Sequence, residues 1–415
     1  MKYGLIGEKL SHSFSKIIHE QIASYNYELK EISRDDIDLF MEKKDFKGIN
    51  VTIPYKETVI PYLDYVSSEA KKIGAINTIV NKNGKLYGYN TDYYGLRALI
   101  EKNGIDVKGK TCLILGSGGT SKTARCVLKQ MDAKNIFFIS RNKRDGFINY
   151  EEAKEIRDVN IIINTTPCGM YPNNEGLIID INSFPSLEAV IDCIYNPLRT
   201  NLIISAKKRG LKCDGGLYML VSQAVKSIEY FLDKKIDSSV IDKTYNDILK
   251  QKENIVLVGM PSCGKSTIGT QISEELNRSF FDTDKIIVNR IGMPIKDYFE
   301  KFGEKEFRKI ETEVVKEVSK LNSVVISTGG GVVLSEENMN ALRQNGLIVY
   351  INRSLELLKP TSSRPLSHDI DSLKKVYEER KDIYKSVSDV EIKNDYDDFS
   401  LASAELLNIF SEEGK

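Results

Sequence analysis

Short apolar runs alternate along the chain with stretches whose apolar positions recur every three or four residues, a pattern that predicts an α/β protein throughout. Near the start, Tyr3–Ile6, Ile49–Ile53 and Ala75–Val80 read as strands, and Lys16–Ser24, Asp35–Lys43, Thr58–Leu63 and Ser67–Ile73 as helices. The same beat resumes with a strand at Lys110–Leu115, a helix to about Gln130 and a strand at Asn135–Ile139. It begins once more at Ile255–Val258, followed by a helix from Thr267 to about Leu276. These restarts predict three lobes: residues 1–93, 94–217 and 254–415. The helical stretch Leu217–Leu232 is expected to return to the first lobe, adding residues 218–245 to it and leaving a cleft between the first two lobes. Residues 246–253 form the predicted junction to the third lobe, short and not rich in Gly or Ser, unlike a long floppy tether.

Composition adds limits. A chain of 415 residues suits two or three folding units, and 41% hydrophobic residues are enough for ordinary cores. Lys and Arg together number 59, as do Asp and Glu, so no net charge favours nucleic acid or an anionic membrane. Cys112, Cys126, Cys168, Cys193, Cys213 and Cys263 form no C-x-x-C pair and read as reduced thiols of a cytosol. His12, His19 and His368 are too scattered for a histidine metal site. The opening Met1–Gly7 lacks a signal-peptide pattern, and no apolar run approaches the ~20 residues that span a bilayer. The expectation is a soluble cytoplasmic protein with small-molecule partners, without nucleic acid or membrane.

Chemistry enters most sharply at Gly259-Met-Pro-Ser-Cys-Gly264-Lys265-Ser266-Thr267, set between a strand and a helix. A loop of this spacing turns its backbone N–H groups around phosphates, and the helix N-terminus adds positive potential. Gly259, Ser262, Cys263, Gly264 and Thr267 would cradle ATP, Lys265 would reach its terminal phosphates, and the Ser266 hydroxyl would sit on Mg²⁺. The competing reading is a glycine turn without a ligand. Four clusters follow. Asp282 and Asp284 are spaced to share one face of a strand end, where one can hold a metal-bound water and the other orient a hydroxyl. Arg308 and Glu311 pair at i,i+3 on a helix. A strand ends in Gly329-Gly330-Gly331, and Arg364 lies in a segment suited to a mobile lid. Singly, each also reads as a surface ion pair, a turn or a solvated loop; in this order behind a phosphate loop they are specific.

Upstream, Gly116-Ser-Gly118-Gly119-Thr120-Ser121 follows a strand and opens a helix, with Ser121 where a dinucleotide fingerprint has its third glycine. The next strand ends in Arg141, Lys143 and Arg144, with no acidic residue to take a ribose 2′-hydroxyl. These cations suit a 2′-phosphate and so NADP(H); the alternative is a solvated basic turn. In the first lobe, polar clusters at strand ends read either as helix caps and turns or as a ligand site. Among them Lys56 and Asp92 would make a proton-transfer pair if a cleft brings them together.

The phrases Ser11-His-Ser13-Phe-Ser15, Gly48-Ile-Asn-Val-Thr52-Ile-Pro-Tyr-Lys56-Glu57, Gly74-Ala-Ile-Asn77-Thr78 and Gly88-Tyr-Asn-Thr-Asp92, in this order, resemble the substrate domain of shikimate dehydrogenases. The resemblance implies that Ser13 and Ser15 hold the substrate carboxylate, that Thr52, Asn77 and Asp92 bind ring hydroxyls, and that Lys56 is the general acid/base. Farther on, Asn164-Thr-Thr-Pro-Cys-Gly169-Met170, Asp192-Cys-Ile-Tyr195-Asn-Pro197 and Gly215-Gly216-Leu-Tyr-Met219 to Gln223 are similar to the same family. By that likeness Tyr195 and Gln223 contact substrate, and Gly216 and Met219 line the nicotinamide. The stretch between Arg144 and Ile161 is shorter than in the family, which implies that one helix of the cofactor domain is missing or reduced.

The third lobe resembles shikimate kinase. The likeness implies that Lys265 and Ser266 serve ATP and Mg²⁺, that Asp282 supports the metal shell and that Asp284 binds the hydroxyl being phosphorylated. Arg308, Gly330, Gly331 and Arg380 would bind shikimate, and Arg364 would close over the phosphates. The lid is shorter than the family's, and an arginine often set against adenine has no match in it, which implies either weaker adenine binding or a substitute in Arg353 or Lys359. The expected architecture is therefore an α/β substrate domain and a Rossmann NADP-binding domain, followed by a parallel-sheet P-loop kinase domain of the nucleoside-monophosphate-kinase type. The two resemblances imply a bifunctional enzyme of chorismate biosynthesis, monomer or homodimer, that reduces 3-dehydroshikimate and phosphorylates shikimate. Its rivals are an NAD-preferring quinate/shikimate dehydrogenase fused to the kinase and a shikimate-sensing regulator without catalysis.

Overall fold

The structure, a computed structural model, describes residues 1–10, 13–141, 145–360 and 369–411. Its chain divides into two units, Met1–Ile248 and Leu249–Lys415. The first unit contains two six-stranded sheets and the second a five-stranded one.

The first sheet is built from β1 (Tyr3–Gly7), β2 (Tyr27–Glu31), β3 (Gly48–Val51), β4 (Tyr65–Val66), β5 (Thr78–Lys82) and β6 (Lys85–Tyr89), in the order β2-β1-β3-β5-β6-β4. β1 runs parallel to β2 and β3, whereas β5 is antiparallel to both β3 and β6. The β5–β6 hairpin closes at Asn83-Gly84, both with positive φ (55° and 85°), as a two-residue turn of that hand requires. Sequence patterning missed β2, because only Tyr27 of its five residues is buried. The segment Thr58–Leu63 yields only the 3₁₀ turn Ile60–Tyr62, since Pro61 cannot donate within a longer helix.

The second sheet is parallel throughout and runs β12-β11-β10-β7-β8-β9. Its strands are β7 (Thr111–Leu115), β8 (Asn135–Ile139), β9 (Phe147–Ile148), β10 (Val159–Asn164), β11 (Ala189–Asp192) and β12 (Lys212–Asp214). Cys112 to Leu115 are 0% exposed, as expected for a central strand covered on both faces. The short segment after Arg141 carries β9 and the five-residue helix Tyr150–Lys154, started by a capping box of Asn149 and Glu152. The helix Leu217–Leu232 touches both sheets' lobes. Gly95 meets it so closely that an added Cβ would stand 2.5 Å from the Met219 carbonyl oxygen, and Phe231 presses on Gly48 of β3.

The third sheet, order β14-β15-β13-β16-β17, is also parallel. It consists of β13 (Asn254–Val258), β14 (Ser279–Asp282), β15 (Val324–Ser327), β16 (Gly346–Asn352) and β17 (Val390–Lys393). Ile255–Val258 of central β13 are wholly buried and deliver the chain to the phosphate loop. The helix behind that loop spans Lys265–Glu275, with Gly264 in a left-handed conformation (φ 101°) as its first cap. Helices Thr283–Ile291, Ile295–Phe302 and Glu304–Ser319 enclose a separate small core around Ile287, Phe307 and Val314. The stretch expected as a junction is helical: the helix Ser239–Lys252 runs through it, held by buried Thr244 and Ile248 on its inner side. Among the described residues no helix is long and apolar enough to cross a membrane.

Candidate active sites

A cavity of about 470 Å³ opens in the first unit where the carboxyl ends of β1 and β3 face the loops after β10 and β11. Ser13, Ser15, Thr52, Lys56, Asn77, Asp92, Tyr195 and Gln223 all line it. Lys56 Nζ donates to Asp92 Oδ2 at 2.6 Å, with the two side chains only 17% and 12% exposed. The other carboxylate oxygen of Asp92 accepts from Asn77 Nδ2 at 2.9 Å. Asp92 opens the helix Asp92–Lys102, where the macrodipole favours an anion. Asn77 is itself fixed, its Oδ1 accepting from the Thr91 backbone N–H at 2.6 Å. Beneath lies a buried set of donors and acceptors in which Asn50 Nδ2 donates to Ser227 Oγ (2.8 Å) and Ser227 Oγ meets Thr78 and Thr91 at 3.0 Å. At the other end Ser13 Oγ accepts from the Ser15 N–H at 3.2 Å, and burial raises the pKa of the Tyr195 hydroxyl, whose hydrogen bond with Ser13 opposes the shift.

Of the residues expected at the cofactor, Thr120, Gly216 and Met219 line this cavity, while Gly116, Gly118, Gly119 and Ser121 form the turn and helix start beside it. Gly116 has φ 113°, and an added Cβ would stand 2.8 Å from Thr165 Oγ1, so only glycine fits. A Cβ at Gly118 would meet nothing within 4 Å, which leaves room over a helix N-terminus for a pyrophosphate. A Cβ at Gly119 would lie 3.8 Å from Lys56 Cδ, so the dinucleotide turn and the lysine share one space. Arg141 is exposed just beyond β8. Lys143 and Arg144 lie outside the described residues.

The second unit has a cavity of about 330 Å³ above the phosphate loop. Ser262, Gly264, Lys265, Ser266 and Thr267 line it on one side, and Asp282, Asp284, Arg308, Gly330, Gly331 and Arg380 on the other. Gly259 and Cys263 belong to the loop behind this surface, and Arg364 lies outside the described residues. Lys265 Nζ donates to the Gly259 and Met260 carbonyls at 3.0 and 2.9 Å, bent back over its own loop. Ser266 Oγ donates to Asp282 Oδ2 at 2.7 Å. A hydroxyl and a carboxylate meeting beside phosphate-binding backbone are the hard oxygen donors that Mg²⁺ takes, and the phosphates would complete the shell. Among the described residues no three His, Cys, Asp or Glu side chains gather to enclose a metal by themselves.

Across the cavity, Arg308 Nη1 donates to Glu311 Oε2 and its Nη2 to Glu304 Oε1, each at 2.8 Å. Glu311 is 1% exposed; burial raises its pKa, the Arg308 charge opposes that, and the Asp284 charge adds to it. An added Cβ would stand 2.6 Å from Asp284 Oδ1 at Gly329 and closer still to Arg308 Nη1 at Gly331, so a side chain at either position would displace a polar group of the cavity. Arg380 and Tyr384 both donate to the Gly330 carbonyl. Arg353 is committed elsewhere, its Nη1 donating to the carbonyls of Asn394 (2.7 Å) and Tyr396 (2.9 Å). Its guanidinium lies 5.1 Å from the ring of Phe399, and it is Phe399 that faces the cavity.

Comparison with known proteins bears on the first unit most directly. Over 270 residues the chain is 40% identical to the NADP(+) shikimate dehydrogenase of Clostridium perfringens, covering 97% of that protein and 59% of this one. The chain belongs to the shikimate dehydrogenase family. The family model for the shikimate dehydrogenase substrate binding domain matches residues 5–79, and that for shikimate kinase matches residues 261–409, so the chain is a fusion of the two. Among solved structures, shikimate dehydrogenase 1 of Peptoclostridium difficile is 42% identical with a TM-score of 0.56, covering 60% of this chain and 98% of that one. The Thermus thermophilus shikimate 5-dehydrogenase in complex with NADP(H) and shikimate is 26% identical with a TM-score of 0.54, over 60% and 99% of the two chains. A chorismate mutase/shikimate 5-dehydrogenase fusion from Clostridium acetobutylicum is 36% identical over 59% and 96%, also with a TM-score of 0.56.

In the dehydrogenase part, sequence reading named no role for Lys9, Thr165, Thr166, Met170, Tyr171 or Cys193, all of which line the cavity. The threonines were within reach, because they follow the carboxyl end of a parallel strand, where such sheets hold ligands. Asp192 was not. It is 0% exposed, and burial lifts its pKa from 3.8 to about 6 against the hydrogen bonds of Ile194, Thr200 and Asn164. In the kinase part, Phe299, Phe307 and Phe399 line the cavity and Tyr384 supports Gly330; each resembles a core residue in sequence.

Proposed function

We propose that the first unit reduces 3-dehydroshikimate to shikimate with NADPH and that the second phosphorylates the 3-hydroxyl of shikimate with ATP. The reading is carried by one circumstance: two separate cavities of one chain match families named for the same small acid. Ser13, Ser15 and Tyr195 hold the substrate carboxylate, and Thr52, Asn77, Asp92 and Gln223 orient the ring. Lys56, held by Asp92, gives a proton to the carbonyl oxygen, the work of a positioned general acid. NADPH bound over the Gly116–Ser121 turn supplies the hydride. Gly216 and Met219 back its nicotinamide, and the cations after β8 favour the 2′-phosphate.

In the second unit Asp284 orients the 3-hydroxyl as base or hydrogen-bond acceptor, while Arg308, Gly330 and Gly331 bind shikimate and Arg380 takes its carboxylate. Lys265 swings from the loop carbonyls to the terminal phosphates of ATP. Ser266 and Asp282 would hold Mg²⁺, which would supply charge neutralisation when bound. Phosphoryl transfer asks the protein mainly for alignment and charge stabilisation, and these residues supply both. The test is a coupled assay on purified full chain given 3-dehydroshikimate, NADPH and ATP with Mg²⁺. NADPH consumption should need no ATP, and ADP should appear only after shikimate forms or is added. Failure of either half to bind shikimate would remove the reading.

A further inference from the structure

We propose that Asp192 is a positioning residue of the dehydrogenase site, whose buried carboxylate holds two loops of the cavity wall in place through Asn164. The inference rests on reading the first cavity as a dehydrogenase site. Asp192 ends β11 and Asn164 ends its neighbour β10, directly paired in register and both 0% exposed. Asn164 Nδ2 donates to both Asp192 oxygens at 3.1 Å. The Ile194 N–H donates to Oδ1 at 3.0 Å, and Thr200 Oγ1 to Oδ2 at 2.7 Å. Among the described residues it forms no ion pair, so an anion has been taken out of water against hydrogen-bond donors alone. Such burial is costly, and a neutral side chain would avoid it.

What the charge provides is direction. An ionised carboxylate only accepts. Asn164 must therefore turn its Nδ2 toward Asp192, which leaves its Oδ1 for the Thr166 N–H (3.0 Å) and Thr166 Oγ1 (2.8 Å). Thr165 and Thr166 form one side of the cavity wall, and Ile194 and Tyr195 another. Thr165 in turn donates its N–H and its hydroxyl to the Leu115 carbonyl, immediately before the dinucleotide turn. One carboxylate thus sets the polarity of the hydrogen bonds that hold both cavity loops, and the bonds of Thr165 tie one of those loops to the base of the cofactor turn.

In Asp192→Asn an amide faces an amide. Thr200 Oγ1, 2.7 Å from the former Oδ2, can accept from the new Nδ2 and Asn164 Nδ2 keeps the remaining Oδ1, so Asn164 is no longer held in one orientation; once turned, its Nδ2 meets the Thr166 N–H, donor against donor. The double variant Asn164→Asp, Asp192→Asn restores the polarity. Its carboxylate, moved to β10, accepts from Thr166 and from the new amide on β11, whose oxygen still accepts from Ile194. We would measure kcat and KM for reduction of 3-dehydroshikimate by NADPH in the full chain, with shikimate phosphorylation in the same preparation as the internal reference. Misplaced reacting groups cost up to ~10²-fold. The single variant should lose roughly 10- to 100-fold in kcat, with KM for 3-dehydroshikimate within about threefold and phosphorylation unchanged. The double variant should return to within about threefold of wild type. A single variant within about twofold of wild type would overturn the proposal, as would a double variant with wild-type melting that stays slow. Thr200→Val guards against simple destabilisation, since it removes one donor and leaves Asn164 correctly turned. It should lower the melting temperature with kcat within about twofold, and a loss matching that of Asp192→Asn would also overturn the proposal. Absence of reduction by the wild-type chain would instead refute the underlying assignment.

Discussion

Replacing His19 with phenylalanine should make the first unit more tolerant of acid than the wild type. The imidazole is 0% exposed and stacked on Tyr27 with ring centroids 3.9 Å apart. Its Nδ1 meets the Tyr25 hydroxyl at 2.7 Å, and Nε2 has no partner among the described residues. Burial drives its pKa from 6.5 down to about 3. As pH falls through 6.5 the unfolded chain therefore takes up a proton that the folded chain refuses, so stability is full above 6.5 and is lost progressively toward 3. At about pH 5 the gap is 6.5 − 5, or 1.5 pH units, worth about 2 kcal/mol. Asp192 works in the opposite sense. Its folded pKa of about 6 lies above the ordinary 3.8, so below 6 its protonation increasingly favours the folded state until pH reaches 3.8. Between about pH 6 and 4 the two slopes have similar size and opposite sign, and wild-type curves would hide both. Comparison of variant with wild type isolates the histidine. Urea unfolding followed by near-UV circular dichroism of the tyrosines, at about pH 7.5 and about pH 5, gives two stability differences. The difference should move by about 2 kcal/mol in favour of His19→Phe at the lower pH. A shift below about 0.5 kcal/mol would mean that His19 titrates in the folded chain much as it does in the unfolded one, and the reasoning from burial would fail.

Three further outcomes follow from the two cavities. Lys56→Ala should lower 3-dehydroshikimate reduction by ~10²–10⁴-fold and leave phosphorylation intact, whereas Lys265→Ala should do the reverse; loss of both reactions from one substitution would refute independent sites. Gly331→Ala, which drives a methyl group into the place where Arg308 Nη1 stands, should raise the kinase KM for shikimate by roughly tenfold or more, read by ADP release, with reduction as the unaffected reference. Arg141→Gln should weaken NADPH by about tenfold in kcat/KM with little change for NADH, because a charge-assisted contact to a 2′-phosphate is worth about 1.5–3 kcal/mol.

Much of this architecture could be read from local pattern. The run Ile255–Val258, the glycine loop and the helix behind it are contiguous, and each follows from side-chain size and backbone freedom within a dozen or so residues. The Lys56–Asp92 pair was within reach because each sits at a strand end, the one place where such sheets gather polar groups. Ser227 and Asn50 were not, since their bond spans 177 positions and exists only because the Leu217–Leu232 helix crosses the first sheet. The Asn164–Asp192 register depends likewise on β10 and β11 being neighbours, which strand order decides and local composition does not. That the helix leading into 246–253 is packed on one side was hidden for the opposite reason. Its charges suggest solvent all round, although Thr244 and Ile248 give it one buried edge. Phe299 and Phe399 look like core residues because apolar periodicity does not distinguish a ring facing a cavity from one facing a neighbour.

The Leu217–Leu232 helix has a bearing on inheritance. Met219, Gln223 and Ser227 recur at intervals of four and so occupy one stripe: the first beside the dinucleotide turn, the second in the cavity, the third among the hydroxyls beneath Asn50. Loss or gain of a single codon between them would rotate the later residues by about 100° against the earlier ones and break the stripe. Recombination that exchanged only the first ninety-odd codons, or only the nucleotide lobe, would give each half a stranger's wall. The dehydrogenase portion is therefore disturbed least when it is exchanged whole.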